Sequence, residues 1–429
     1  REGRPIHIKG NPRFGINRNP ALAKGSINAR INSSVLSLYD GARLTGPTAK
    51  GATTASAWAD ADKAVAAGLS AAAGKRIVIL TNTVISPSTQ AAIATFKAKH
   101  GGVVATSDAP SPGAVAGAVQ HIQYDTISYS GITGANQKSF GKRVFPSYDL
   151  TKADVVVSVD ADFLSSWGST SENTWQYAVR RNPDLPMNRH FQFEARMSLT
   201  GANADIRVPL KVSELPKAVV ALHAHISGNS AGADAAMLKA TEGAAKALMA
   251  AKGSSVVLAG SNNEGVKVQV NSINSILGNY DNTIDLDAHS HLKQGDDAAV
   301  AQLVKDMNAG LVGALFIAGV NPAYSLPNAA EFKAGLAKVG FSVSFSGYAD
   351  ETASLCTWMC PDHHYLESWN DFHPKVGHYA LAQPTIRPLF NTRQWPESLL
   401  AWSGNSTSYH DFVKQTWQAN MASRGPVGG

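Results

Sequence analysis

The side chains best placed for chemistry are Cys356, Cys360, His363 and His364, which offer the thiols and imidazoles that zinc and haem iron take as ligands. Their spacing argues against such a centre. Two cysteines four apart, with Pro361 directly after the second, do not match the usual zinc arrangements, so buried inert thiols are expected. Two cysteines in the whole chain are also too few for an iron–sulfur cluster held by four thiolates. A second candidate is the run Ser128-Tyr129-Ser130-Gly131-Ile132-Thr133-Gly134, where Ser128 and Ser130 could give oxygen ligands to a metal. Serines beside glycines are more often turn-formers. The glycine pairs within 131–134 and 228–232 have no P-loop lysine after them and complete no dinucleotide fingerprint. Both read as loop glycines.

The elements that must position these residues read as parallel α/β units. Ala314-Leu315-Phe316-Ile317-Ala318 is a buried strand that stops at Gly319-Val320-Asn321-Pro322. A helix pattern follows over 328–339 through Ala329, Phe332, Leu336 and Val339, and 341–345 is a second strand. Such a strand–turn–helix–strand unit builds a parallel sheet. Runs at 76–80, 103–105, 123–127, 153–159 and 255–259 read as further strands. Helix patterns cover 58–73, 89–99, 215–226, 233–251, 266–277 and 296–307, the second opened by Ser86-Pro87-Ser88. Near the start, 5–9 alternates apolar and polar and reads as a short strand closed by Gly10-Asn11-Pro12.

Doubly wound sheets bind ligands beyond the carboxyl ends of their strands. The polar turns there are 81–83, 160–162, 260–262 and 319–321, and none contains a basic residue. Asp160 and Asp162 oppose a phosphate at one of these mouths. A cleft filled by side chains and water is therefore expected, rather than one built for a nucleotide.

With 429 residues, 44% of them hydrophobic, the chain can bury the cores of two or three α/β lobes. Its net charge of +6 raises the question of nucleic acid, but lysine and arginine are scattered and not interleaved with aromatics. A basic face toward an acidic partner subunit is the expectation. No apolar run approaches the length of a membrane span. The first residue is not Met and no signal peptide is legible, while Arg1-Glu2-Gly3-Arg4 reads as the middle of a hairpin. A piece of a longer polypeptide is expected, with 425–429 as a disordered end.

Residue types alone give only a nucleotide-binding-like parallel sheet. Longer segments carry more: Leu38-Tyr39-Asp40 with RLTGP at 43–47, ADFL at 161–164, GVNPAYSLPNAAEF at 319–332, DETA at 350–353, PDHHYLESWND at 361–371 and QPTIRPLFNTR at 383–393. Together they resemble the molybdopterin oxidoreductase superfamily. More narrowly, they are similar to the molybdopterin-like domain of the large iron–sulfur subunit of alternative complex III, a bacterial quinol-oxidising respiratory complex.

The resemblance implies two doubly wound, Rossmann-like lobes with a short N-terminal β segment. Its divisions are 1–50 as a remnant of the family's iron–sulfur domain, 51–209 and 210–346 as the lobes, and 347–429 as a return segment packed between them. It also places four vestigial positions. Asn28 stands where the family's last cluster cysteine stands and Arg30 takes the position of a lysine. Ser128 lies in the equivalent of the metal-ligand loop, and Asn321 lies in a turn near one guanosine end of a pterin dinucleotide. An amide cannot replace a thiolate on an iron–sulfur cluster, and Ser26, Asn28 and Asn32 also read as ordinary loop and capping residues.

Two functions follow from the resemblance. In the first, the chain is a cofactor-free structural domain without catalytic or metal-binding residues, held at the periplasmic side of the inner membrane. It would support an iron–sulfur ferredoxin-like domain, membrane quinol-oxidising subunits and c-type cytochromes carrying haem. In the second, it is the catalytic molybdenum–pterin subunit of a polysulfide or thiosulfate reductase. The missing thiolates favour the first.

Overall fold

A computed structural model of the chain describes residues 3–11, 18–19, 24–25, 27–101 and 117–420. The expected strand at 103–105, the expected disordered end at 425–429, and Arg1, Glu2, Pro12 and Ser26 lie outside them.

Six strands form the first sheet, in the order Thr48–Ala49, Trp358–Met359, Phe341–Ser344, Val312–Ala318, Arg76–Thr81 and Val119–Gln123. All neighbours are parallel except the outermost pair, where Thr48–Ala49 runs antiparallel to Trp358–Met359. Every residue of Val312–Ala318 is buried, as a strand covered by helices on both faces must be. Its side chains alternate between two cores. Ala314, Phe316 and Ala318 pack with Phe96 and Leu399 on one face, and Leu315 and Ile317 pack with Leu303 and Phe332 on the other. The expected unit around this strand is present, since Phe341–Ser344 is its parallel neighbour.

The second sheet is parallel throughout, in the order Ser255–Ala259, Val155–Val159, Arg189–Glu194 and Ile206–Pro209. Helices Leu215–Ser227, Ala235–Ala250 and Glu264–Ile276 give Leu222, Leu248 and Ile273 to the core on one face. An aromatic cluster of Tyr129, Phe163, Trp167 and Tyr177 covers the other. A third sheet, of four antiparallel strands, joins Phe145–Tyr148, Ile284–Ser290, Asn370–Lys375 and His378–Ala382. Its first two strands lie on the stretches where the chain crosses between the lobes.

Two α/β lobes are thus present, but they do not follow the linear division into 51–209 and 210–346. Arg76–Thr81 pairs with Val312–Ala318, and Val155–Val159 pairs with Ser255–Ala259. Each of these strands is a continuous apolar run, and such a run shows that a strand is buried without naming its partner. The segment 347–429 supplies Trp358–Met359 to the first sheet and a hairpin to the third, so it is built into both.

Three local expectations are also corrected. Residues 4–9 form no strand, and the N-terminal region instead turns through helix Ala29–Ser33 and the tighter helix Ser34–Tyr39. The strand expected at 123–127 is Val119–Gln123, because Asp125 leaves the ladder to accept hydrogen bonds from Thr83 and Gly295. Residues 131–134 are not loop but the first turns of helix Ser130–Phe140.

Candidate functional site

The carboxyl edge of the second sheet opens into a cleft of about 190 Å³. The turns that follow three of its strands line it. Asp160 and Asp162 follow the first, Arg196 and Ser198 follow the second beside Glu194, and Gly260 to Asn262 follow the third. Ser128, Tyr129 and Ile132 enter from the crossing segment, and Trp167 and Lys267 complete the lining.

Two glycines let these parts close on each other. A Cβ on Gly260 would stand 1.9 Å from the carbonyl oxygen of Asp160, and one on Gly131 would stand 2.1 Å from that of Asn262. Asp160 itself holds a left-handed backbone at φ 57°, a conformation that aspartate tolerates better than most residues.

Carboxylates dominate the electrostatics. Burial pushes the Asp160 carboxyl up, and the charges of Glu194 and Asp162 add to this against Arg196. Asp162 Oδ1 accepts from Thr200 N at 3.2 Å and Thr200 Oγ1 at 2.7 Å. For Glu194, burial pushes up, but hydrogen bonds from Ser198, Arg207 and Gln192 outweigh it and its pKa is lowered. Lys267 is 3% exposed, and desolvation brings its ammonium down to about 7. Its Nζ donates to the Ala259 carbonyl and lies 5.4 Å over the Trp167 ring.

Ser128 does line this cleft, but its oxygen is engaged. Its Oγ donates to Asp297 Oδ2 at 2.7 Å and accepts from Ser130 N at 3.0 Å. Asn262 binds the same carboxylate at 3.1 Å and receives Gly131 N at 2.8 Å. Asp297 therefore ties the crossing segment to the turn at 260–262. Sequence reasoning missed Asp297, Glu194, Arg196 and Lys267. Only Lys267 left a signal, as a lysine at a buried position of the helix that gives Val270 and Ile273 to the core.

The other vestigial positions lie away from the cleft. Asn28 caps helix Ala29–Ser33, its side chain accepting from Ile31 N at 2.9 Å. Arg30 is exposed on that helix. Asn321 clamps the DETA segment: its Oδ1 accepts from Thr352 Oγ1 at 2.7 Å and its Nδ2 donates to Glu351 at 2.6 Å. The carboxyl edge of the first sheet is closed in similar fashion, with Thr83 Oγ1 bound to Asp125 at 2.7 Å and Gln294 N to Thr83 at 2.8 Å.

Cys356 and Cys360 belong to the cores on opposite faces of the first sheet. They share no metal position. Burial pushes each thiol up to about 12, which disfavours the thiolate that nucleophilic attack needs. His363 contacts Thr392 Oγ1 at 2.6 Å, and His364 contacts Ser37 Oγ at 2.8 Å. Replacing both cysteines with alanine is expected to leave the zinc and iron contents of the purified protein unchanged. Metal analysis of the parent and variant proteins checks this.

The segments that carry the family resemblance converge on a buried ion pair instead. Arg43 donates to Glu367 through two nitrogens, at 2.7 and 3.2 Å, and to Leu38 O at 3.0 Å. Leu389 N and His364 N bind the same carboxylate at 3.0 and 2.9 Å. The guanidinium also lies 5.1 Å over the Phe390 ring. RLTGP, HYLE and PLF are thus parts of one contact between distant pieces of chain.

No protein-family model matches the chain. Among curated proteins, it is 24% identical over 479 aligned residues to the menaquinone reductase molybdopterin-binding-like subunit of Nitratidesulfovibrio vulgaris. That alignment covers 98% of this chain and 65% of the relative, so the chain spans just under two thirds of the relative's length. Acetylene hydratase from Pelobacter acetylenicus superposes with a TM-score of 0.65 at 11% identity, over 89% of this chain and 64% of its own. One chain of the formyltransferase/hydrolase complex of Methylorubrum extorquens superposes with a TM-score of 0.54 at 14% identity, over 86% of this chain and 99% of its own. At such identities the superpositions show fold alone. Paired doubly wound lobes and these superpositions show a molybdopterin-oxidoreductase-like fold, and the curated relative is similar along 98% of this chain.

Proposed function

We propose that this chain is a non-catalytic, molybdopterin-fold subunit of a membrane-associated quinol oxidoreductase of the alternative complex III type. It scaffolds an iron–sulfur domain, quinol-oxidising membrane subunits and c-type cytochromes, and carries no pterin cofactor of its own. The observation that supports this best is the chemistry of the cleft. A pterin dinucleotide brings pyrophosphate, which calls for backbone N–H groups at helix N-termini and for arginine or lysine. Here three carboxylates, Asp160, Asp162 and Glu194, share the lining with Arg196 and Lys267. Lys267 is partly discharged near neutral pH and spent on a carbonyl. The volume of about 190 Å³ is also below the roughly 300–1,000 Å³ of small-molecule pockets.

Similarity to a menaquinone reductase subunit supports a subunit role in quinone chemistry. No helix among the described residues is long and apolar enough to cross a membrane. In this reading membrane partners hold the chain at the periplasmic surface, and the net charge of +6 suits an acidic neighbour. Elemental analysis of the purified complex tests the proposal. Molybdenum and tungsten are expected far below one atom per chain, and oxidised extracts should lack pterin fluorescence. Either metal at stoichiometric level would overturn it in favour of a catalytic subunit of the polysulfide or thiosulfate reductase kind.

A further inference from the structure

We propose that His289 and His291 form a two-imidazole chelate for a borderline divalent transition-metal ion such as Zn²⁺ or Cu²⁺. The pair sits where Ile284–Ser290 leaves the third sheet, among residues that do not line the cleft. A single residue separates them, so on an extended chain both rings lie on one side. Their Nε2 atoms face each other at 3.2 Å. Each Nδ1 is held by a backbone carbonyl, His289 at 3.1 Å from Leu286 O and His291 at 2.9 Å from His373 O. A carbonyl oxygen only accepts, so both Nδ1 atoms carry the proton and donate it. In the neutral rings both Nε2 atoms are then bare lone pairs aimed at one another. Two acceptors at this distance repel unless a cation lies between them.

A metal ion requires this arrangement. Ligating histidines donate their second ring N–H to a carbonyl or carboxylate, which fixes tautomer and ring orientation. With zinc–nitrogen bonds of ~2.0–2.1 Å and tetrahedral angles, two ligand nitrogens stand about 3.3 Å apart. The backbone on either side is fixed, since His291 N donates to Pro374 O at 2.8 Å and Val376 N donates to His289 O at 3.1 Å. The His291 ring also packs edge-on against His373 at 4.3 Å, and His373 stacks on Tyr379 at 4.1 Å. Imidazole nitrogens select zinc, copper or nickel over magnesium and calcium, which take oxygen. Among the described residues no group of three or more His, Cys, Asp or Glu could hold a metal. Water or a partner side chain must therefore complete the coordination. Both rings are only partly buried, which leaves the ion a way in.

The proposal is independent of the scaffold reading, which concerns molybdenum and tungsten. The intact purified complex is stripped with chelator, exchanged into metal-free buffer and titrated with Cu²⁺ as the probe. Difference electron paramagnetic resonance spectra against the substituted complexes remove haem and cluster signals. One Cu²⁺ per chain with coupling to two imidazole nitrogens is expected, displaced by excess Zn²⁺. His289→Ala and His291→Ala should each weaken that binding about tenfold or more, with circular dichroism and thermal melting showing that the fold is retained. Either variant that folds suffices. Unchanged Cu²⁺ affinity in a folded variant would overturn the proposal. So would the absence of a two-nitrogen signal in the unsubstituted complex, in which case nitrogen-edited NMR should show one proton shared between the two Nε2 atoms.

Discussion

Glu367→Ala is expected to destabilise the protein by about 3–5 kcal/mol, the cost of leaving a buried charge without its partner. Both residues of the pair lie in the interior, Arg43 at 7% and Glu367 at 3% exposure. Removing the carboxylate strands a guanidinium that has left water, and also frees the N–H groups of Leu389 and His364. Arg43→Ala with Glu367→Ala should cost less than the two single changes summed, because the stranded charge is gone. Denaturant midpoints of the four proteins measure this, and simple additivity would show that the pair does not hold the segments together. The pH dependence follows in sign. Burial pushes the Glu367 carboxyl up, but Arg43 and the two backbone N–H groups outweigh it and the pKa is lowered in the fold. The stability it contributes is therefore complete above the ordinary glutamate range and is lost as pH falls through the folded value.

The opposite sign is expected at Asp362. Burial pushes its carboxyl up to about 7, against hydrogen bonds from Trp395 N and His363 N. A raised acid favours the fold while protonated, so its contribution is present below the ordinary aspartate pKa of about 4 and is lost as pH rises through 7. Asp362→Asn should raise stability at pH 8 by about 2–4 kcal/mol, from a shift of roughly three units discounted for the partial access of the residue. Both backbone donors go to Oδ1, at 2.8 and 3.0 Å, and an asparagine oxygen can accept them unchanged. At pH 4 the variant and the parent should differ little. Thermal melts across this range decide it, and a variant less stable than the parent at pH 8 would show that the charge is compensated.

Much of the architecture was legible along the chain, for a physical reason. Buried parallel strands such as Ser255–Ala259 are short apolar runs, and the helices between them carry an apolar stripe, so both leave marks in local order. The capping chemistry of Asn28 was legible too, since its hydrogen bond to Ile31 N is local. The specific segments DETA and HYLE were visible as residues but not as partners. Only the fold shows Thr352 bound to Asn321 and Glu367 bound to Arg43.

The cleft was legible in part. Its carboxylates, Asp160 and Asp162, follow a strand and could be placed at a mouth from sequence. Lys267, Arg196 and Asp297 reach it from other elements, so the turns alone suggested a site without basic residues. The facing of His289 and His291 had no sequence signal beyond their spacing, because the carbonyls that fix their tautomers come from Leu286 and from His373 on another strand. What the sequence determined by itself is the central buried strands, the helices between them and the shortage of thiols, since all depend on residue type and local order. Which strands pair, how the lobes are cut from the chain, and where each charge finds its partner were decided by tertiary packing, because those contacts join residues that local order leaves unrelated.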